Sequence, residues 1–330
     1  MKNFTYKTAL VSLLFITIMT LFITYGKMIY NSPEYPMWKS TMDYISTNTN
    51  NHNIIIGDSR ALVSFSPKQL DDNYYNLAVG GGTPIEGYYF LKKLLTKKTP
   101  KKLILSFAPC HLECAEIFYD RTLKYNLLSK KEIDEVLSIS KKLNEKFYIP
   151  DENRVYTSTT DYYKEYLTAM VYSSNCFTVY RPELSVLLYT PSRPFKNFDT
   201  YKEINTNGGS YHFGTANSSS QLNIESTTST FLPSKVINHY LNKTLDLTTQ
   251  YGIEVYYITA PFNLSSYQNT TSNYITEYNL YFNKLKQQHP NITWYSDISF
   301  LNNNCFGDPS HLNTKGVQEY SKHLKNSILK

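Results

Sequence analysis

Two short motifs near opposite ends of the chain contain residue types that together perform nucleophilic catalysis. Gly57-Asp58-Ser59 follows the apolar run Ile54-Ile-Ile56 directly, and Asp308-Pro-Ser-His311 lies close to the C-terminus. A serine hydroxyl becomes a good nucleophile when an imidazole takes its proton, and a nearby carboxylate fixes the tautomer of that imidazole. Ser59, His311 and Asp308 are therefore candidates for a catalytic triad. Each motif alone also fits an ordinary turn capped by a short polar side chain.

A glycine-rich segment, Asn76-Leu-Ala-Val-Gly80-Gly-Gly-Thr83, lies between these two motifs. Glycine lets a backbone N–H approach a developing oxyanion closely, and stabilising that oxyanion usually contributes more to the rate of acyl transfer than any other single effect. Gly81 and Gly82 are therefore candidate oxyanion donors. The same glycines suit a phosphate cradle, but no Gly-Lys-Ser/Thr and no Gly-x-Gly-x-x-Gly with a ribose-binding acid completes that motif.

Short β-rich runs alternate with longer amphipathic stretches, which predicts an α/β fold with a parallel sheet covered by helices. The predicted strands cover residues 53–57, 74–78, 102–107, 253–259 and 292–296. Ligands bind at the carboxyl ends of such strands, so Ser59 and the glycine-rich segment are both placed where a substrate arrives.

Five helices are predicted from apolar periodicity and capping signals. They begin at Pro84, after Ser129, near Ser234, around Tyr274 and near Thr314. Residues 147–230 interrupt this pattern because they are rich in Ser, Thr, Asn, Tyr and Pro. They are predicted to form an irregular insertion, which either covers the active site or is a tolerated surface excursion.

The N-terminal segment is apolar and carries no charge from Thr8 to Gly26, with Lys2 and Lys7 before it and Lys27 after it. It is long enough to cross a bilayer, and no Ala-x-Ala-like cleavage site follows it. The alternative is a buried helix of a soluble protein. Residues 1–28 are therefore predicted as a membrane anchor with a cytoplasmic N-terminus, residues 29–52 as a polar linker, and residues 53–330 as an extracytoplasmic catalytic domain.

Charge and cysteine content exclude several classes of protein and site. With 33 basic and 27 acidic residues the net charge is +6, too small an excess for a dedicated nucleic-acid binder. Cys110-His111-x-x-Cys114 lacks the further ligand pair that a tetrahedral metal site needs, so no metal site is expected there. No cofactor is expected for the protein either. The cysteines fit an oxidising compartment, and their three pairings stay open: Cys110, Cys114, Cys176 and Cys305.

The order of the motifs resembles that of the SGNH/GDSL hydrolase family. Gly-Asp-Ser follows the first strand, Asn-x-Ala-x-x-Gly follows the second, and Asp-x-x-His-Leu-Asn-x-x-Gly precedes the last helix. The resemblance spans residues 53–330 apart from the insertion, and it implies a flavodoxin-like three-layer α/β/α domain. It further implies Ser59 as nucleophile, His311 as general base and Asp308 as its orienting carboxylate. The implied oxyanion donors are the backbone N–H groups of Ser59 and Gly81.

The third block departs from the family pattern. Members commonly carry Gly-x-Asn-Asp there, with the Asn side chain as another oxyanion donor, whereas this chain has Ser106-Phe-Ala-Pro-Cys-His-Leu-Glu113. Either the backbone donors suffice or His111 replaces the Asn, and Arg60 is a further candidate for binding. Because losing one donor costs ~10²–10³ in rate, a slow hydrolase or a changed acceptor is implied.

A membrane-anchored member with this altered block looks like the DltD-type and alginate-acetylation-type proteins of envelope modification. That likeness implies an O-acyltransferase, chiefly an O-acetyltransferase, or an esterase that acts on an envelope polysaccharide or related surface polymer. It implies the envelope glycan and a multi-span membrane acyltransferase as partners. The alternatives are a general extracytoplasmic esterase or lipase, and a non-catalytic envelope-assembly subunit.

Tyrosine makes up most of the aromatic content, with 31 residues, and is frequent in the insertion. Tyrosine rings suit contact with sugars, so one interpretation is a glycan groove above Ser59; genome bias is the other. The tyrosines concerned are Tyr156, Tyr162, Tyr163, Tyr166, Tyr172, Tyr180, Tyr189, Tyr201 and Tyr211.

Overall fold

Seven strands form two parallel sheets in the computed structural model, which describes residues 2–47, 50, 52–71, 73–150, 154–174, 190–215, 217 and 229–328. The strands are β1 (Asn53–Gly57), β2 (Tyr74–Asn76), β3 (Lys102–Ser106), β4 (Glu254–Ile258), β5 (Phe262–Asn263), β6 (Thr293–Tyr295) and β7 (Phe300–Leu301). The central sheet has the order β2-β1-β3-β4-β6, and β5 pairs with β7. The α/β class and all five predicted strands are confirmed. The small second sheet was not predicted, because its two-residue strands carry no periodicity.

The α-helices of the described residues follow the chain in this order: α1 (Lys2–Tyr25), α2 (Lys27–Tyr30), α3 (Tyr35–Thr47), α4 (Ser59–Ser64), α5 (Pro67–Leu70), α6 (Pro84–Leu95), α7 (Pro109–Glu113), α8 (Lys130–Leu143), α9 (Thr159–Ser173), α10 (Arg193–Thr206), α11 (Lys235–Gln250), α12 (Leu264–Asn269), α13 (Ser272–Gln288) and α14 (Thr314–Ser327). A π-helix covers Phe118–Leu123, and a 3₁₀ turn covers Asn303–Cys305. The predicted capping box at Ser129–Glu132 is confirmed, and a second one starts α6 at Thr83.

The direction of the chain reverses at β1. It passes from β1 to β2 on one side and then crosses back to β3 on the other. Right-handed crossovers in opposite directions place their helices on opposite faces of the sheet. Accordingly α14 packs with α4 and α5, whereas α11 packs with α6. The crevice at the carboxyl ends of β1 and β3 is the topological switch point, where ligands bind in open α/β sheets.

The N-terminal helix α1 contacts the domain near its C-terminal end, where the rings of Phe22 and Tyr30 lie 5.5 Å apart between centroids. Residues 4–22 are long and apolar enough to cross a membrane, a property that signal sequences share, and none of this stretch is buried.

The prediction of a polar linker over residues 29–52 is wrong. Helices α2 and α3 fold onto the domain, with Tyr30 and Trp38 fully buried, and α3 packs against α10 and α6. Polar residues between the aromatic ones concealed the helical spacing of the buried positions. The segment between the apolar helix and the sheet is therefore part of the domain.

Candidate functional site

Ser59 begins α4 immediately after β1, and the carboxylate of Asp58 determines the shape of that turn. Asp58 Oδ1 accepts hydrogen bonds from the backbone N–H of Arg60 at 2.9 Å and of Ala61 at 3.2 Å. Its Oδ2 accepts from the N–H of Ala108 at 2.6 Å. Ala108 follows β3, so the fully buried Asp58 ties the ends of β1 and β3 together beside Ser59. Asp58 is thus a structural carboxylate that holds the Ser59 turn.

The glycine-rich segment forms a tight turn directly above the end of β1. Val79 N–H donates to Gly57 O at 3.2 Å, and Gly82 N–H closes the turn onto Val79 O at 3.0 Å. Gly81 has φ +71°, as the third position of a type II turn requires. The prediction of Gly82 as an oxyanion donor is therefore wrong, because its N–H is consumed by the turn. The Gly81 N–H has no acceptor among the described residues.

Asp308 and His311 form the predicted hydrogen-bonded pair, with 2.8 Å between Asp308 Oδ2 and His311 Nδ1. Asp308 Oδ1 accepts from the N–H of Ser310 at 2.8 Å and of His311 at 2.7 Å. Burial raises the pKa of Asp308, but the imidazole and the two N–H groups outweigh it, so the pKa lies below its usual value. An ionised Asp308 favours the tautomer with hydrogen on Nδ1. That tautomer leaves Nε2 to accept a proton.

Strand β5 contacts both the His311 loop and the residue that follows Ser59. Asn263, on β5, donates from Nδ2 to Pro309 O at 2.6 Å. Next to it, the ring of Phe262 lies 4.6 Å from the guanidinium carbon of Arg60, the residue after Ser59. The Arg60 side chain is only 3% exposed. Arg60 therefore forms a buried cation–π contact, and its role as a binding residue stays a prediction.

Phe213, in the insertion, covers His311. The two rings lie 5.2 Å apart between centroids, and the Phe213 ring tip is 3.6 Å from where a Cβ on Gly80 would stand. Phe213 has φ +50°, which is uncommon for a bulky residue. His311 Nε2 is buried and has no hydrogen-bond partner in the described part of the chain, so its bond to Ser59 is not formed. Catalytic hydrogen bonds often close only when substrate binds.

We expect the variant Phe213→Ala to expose His311. Without the ring, Nε2 becomes accessible, and the rate of His311 modification by diethyl pyrocarbonate rises severalfold, as followed by peptide mass spectrometry. His323, exposed on α14, is the internal control whose rate stays constant. An unchanged rate at His311 would mean that Phe213 does not cover it.

The third block docks on the Ser59 turn through Ala108 and His111. His111, on α7, places Nε2 at 3.9 Å from Asp58 Oδ2, which is too far for a hydrogen bond. His111 therefore lies at the candidate site, next to Asp58. The role of His111 as an oxyanion donor stays a prediction.

Glu34 and Arg121 contact the site, and sequence reasoning missed both. Arg121 Nη1 donates to Gly80 O at 2.8 Å and lies 3.4 Å from Glu34 Oε2. A Cβ on Gly80 would stand 2.7 Å from Glu34 Oε2. The signal in the sequence was Gly80 itself, since a glycine there indicates the close approach of another group.

The tyrosines of the insertion are mostly committed to other contacts. Tyr156 and Tyr166 hydrogen-bond to Ser140 and Asp134 on α8, and Tyr201 donates to Asp43 on α3. Tyr211 alone among the described ones packs edge-on against Phe213 next to His311. Tyr180 and Tyr189 lie outside the described residues. These contacts do not support a tyrosine-lined groove above Ser59.

Three of the four cysteines lie within the described residues, and two of these three are buried thiols. Cys110, Cys114 and Cys305 form no disulfide with one another, and no group of three metal-ligating side chains occurs among the described residues. Cys176 lies outside them. Burial raises the pKa of Cys114 to about 12 and that of Cys305 to about 11. Both thiols therefore stay protonated, and unreactive, at neutral pH.

A scan against protein-family models and a search of curated proteins each find no match to this chain.

Proposed function

We propose that this protein performs serine-dependent acyl transfer through an acyl-Ser59 intermediate, as an O-acetyltransferase or esterase acting on a cell-envelope polysaccharide or related surface polymer. The observation that carries the proposal is the Asp308–His311 pair, with 2.8 Å between its nitrogen and oxygen, held at the sheet edge where β1 delivers Ser59. A carboxylate–imidazole pair near a serine at a helix start is the arrangement that activates a hydroxyl.

We further propose that the domain has the SGNH fold. When the five strands of the central sheet are numbered 1 to 5 along the chain, their order across the sheet is 2-1-3-4-5, which is the order of flavodoxin-like sheets. The three motif blocks stand at the ends of β1 and β2 and before α14, in the family's order. These features support the assignment of Ser59, His311 and Asp308 as the triad.

The reaction consists of two proton-balanced steps. Ser59 Oγ attacks the donor carbonyl while His311 Nε2 takes the hydroxyl proton, and the Gly81 N–H stabilises the oxyanion. Collapse expels the donor's leaving group, which takes the proton from His311. A sugar hydroxyl or water then gives its proton to His311 while its oxygen attacks the acyl ester. When this second tetrahedral intermediate collapses, the bond between Ser59 Oγ and the acyl carbon breaks, and His311 returns the proton to Ser59 Oγ.

The apolar helix α1 supports a proposed location as well. Residues 4–22 would anchor the protein with its N-terminus in the cytoplasm and the catalytic domain outside it, beside the envelope glycan. A multi-span membrane acyltransferase would supply the acyl group from within the same bilayer.

The proposal is tested by mass spectrometry of the surface glycan from a deletion strain. Loss of acetyl groups is expected for a transferase, and a gain for an esterase. Complementation with the wild-type gene should reverse the change, whereas the Ser59→Ala gene should not. If the deletion leaves acetylation unchanged, the glycan is not the acceptor.

One observation favours the second candidate, a non-catalytic assembly subunit: Phe213 covers His311, and the Ser59–His311 bond is open. Under that alternative the Ser59→Ala gene restores glycan acetylation fully. The complementation experiment therefore separates the two functions.

A further inference from the structure

We infer that Arg121 is a positioning residue for the oxyanion donor and that Glu34, on the segment following the apolar helix, holds Arg121 in place. The inference rests on the proposed function, since it concerns the Gly81 N–H of that site. The contacts are 2.8 Å from Arg121 Nη1 to Gly80 O and 3.4 Å from the same nitrogen to Glu34 Oε2.

The geometry of the turn explains what Arg121 controls. Gly80 C=O and Gly81 N–H belong to one trans peptide, so they point in opposite directions. Types I and II of a β-turn differ mainly by a flip of this central peptide. Two glycines make both forms accessible at Gly80–Gly81. By accepting from Arg121, the carbonyl of Gly80 fixes the type II form, and with it the direction of the Gly81 N–H.

The surroundings of the turn leave Arg121 little freedom. It lies on the π-helix Phe118–Leu123, an element frequent at functional sites. The next residue, Thr122, donates from Oγ1 to the buried Glu86 Oε1 at 2.5 Å. Glu86 Oε2 in turn accepts the N–H of Thr83, which follows the turn, at 2.8 Å. The π-helix thus holds the glycine turn at Gly80 and again at Thr83.

Glu34 links this device to the membrane-proximal segment. It stands between α2 and α3, which directly follow α1. Ser32 shares a 2.5 Å hydrogen bond with Tyr125, close in sequence to Arg121, and Asn197 donates to Met28 O at 2.9 Å. These contacts seat the segment on the domain. The oxyanion geometry therefore depends on how the segment between the anchor and the sheet is docked.

The kinetic test uses the full chain and a chromogenic acetyl ester. In Arg121→Gln we expect kcat to fall by a factor of about 10–10², with KM unchanged. This fall should not exceed the one that follows when an entire oxyanion donor is removed. Arg121→Lys should recover part of the loss, since an ammonium can still donate to Gly80 O. Glu34→Gln should lower kcat less than Arg121→Gln does. Because Glu34 acts through Arg121, the double variant that combines the two substitutions should have the same kcat as Arg121→Gln alone. Arg193→Gln, on α10, is the matched control.

A second measurement does not depend on activity. The chain has 12 glycines, so selective labelling with ¹⁵N-glycine gives a short amide spectrum in which the Gly81 signal is identified by its loss in Gly81→Ala. In Arg121→Gln we expect the Gly80 and Gly81 signals to move while glycines remote from the turn, such as Gly252, stay in place.

The kinetic and spectroscopic results together show whether Arg121 orients the Gly81 N–H. Turn signals that do not move in Arg121→Gln overturn it, as does a full kcat in that variant of an active protein. A kcat loss matched by a fall in melting temperature, with no recovery in Arg121→Lys, assigns Arg121 a merely structural role and overturns it too. A further outcome is that the wild-type protein turns over no ester while the Gly80 and Gly81 signals still move in Arg121→Gln. In that case the proposed function fails, but the conclusion that Arg121 orients the Gly81 N–H is upheld.

Discussion

Replacing Ser59 with alanine is expected to lower the turnover of a chromogenic acetyl ester by roughly 10⁴-fold or more, the size of loss seen when a triad nucleophile is removed. Alanine cannot form the acyl intermediate, and the residual rate reflects only oxyanion stabilisation and binding. Folding should be unaffected, because the turn is held by Asp58 and the backbone N–H groups of Arg60 and Ala61.

Ser66→Ala provides a matched control for this experiment. Ser66 stands further along the same region, at the start of α5, and its side chain forms no capping hydrogen bond. Its loss should leave turnover at the wild-type level. Turnover that persists in Ser59→Ala would contradict both Ser59-dependent enzymatic interpretations.

Replacing Asp308 with asparagine is expected to lower kcat by about 10⁴, because the amide no longer holds the imidazole in the tautomer that presents a basic Nε2. The control is Asp246→Asn, which alters another Asp–His pair, with 3.8 Å to His289 Nδ1 and Asp246 largely exposed. Equal activity in the two variants would mean that Asp308 does not orient a catalytic base.

The same substitution should change the acid dependence of stability. The pKa of Asp308 is lowered in the folded chain, so the ionised carboxylate stabilises the fold above its ordinary pKa, and this contribution is lost as the pH falls through the lowered value. The amide that replaces the carboxylate in Asp308→Asn cannot titrate, so the melting temperature of this variant should fall less steeply on acidification than that of the wild type. Parallel curves would contradict the lowered pKa.

Local patterns in the sequence were sufficient to predict the sheet and the two halves of the proposed triad. Strands buried on both faces read as continuous apolar runs, as in Asn53–Gly57, and the capping box at Ser129 marks α8. The Asp308–His311 pair was predictable because both residues lie on one short loop. Such features depend on neighbours in sequence.

Contacts between distant segments were not predictable. Glu34 meets Arg121 and Gly80 only after the chain has folded, and the aromatic residues of α3, such as Trp38, were assigned to a linker because polar residues separate them. Phe213 reaches His311 from an insertion without clear periodicity. The hydrogen bond from Gly82 N–H to Val79 O likewise depends on turn type, which the glycines alone left open.

The central claim is a covalent acyl intermediate on Ser59, and peptide mass spectrometry of the protein after rapid acid quenching with an acetyl ester tests it most directly. The expected result is an added acetyl group on the peptide that contains Ser59, absent from Ser59→Ala and present at a much lower level in His311→Ala. An acetyl group on another residue, or none on the Ser59 peptide while the wild-type protein turns over ester, would contradict it.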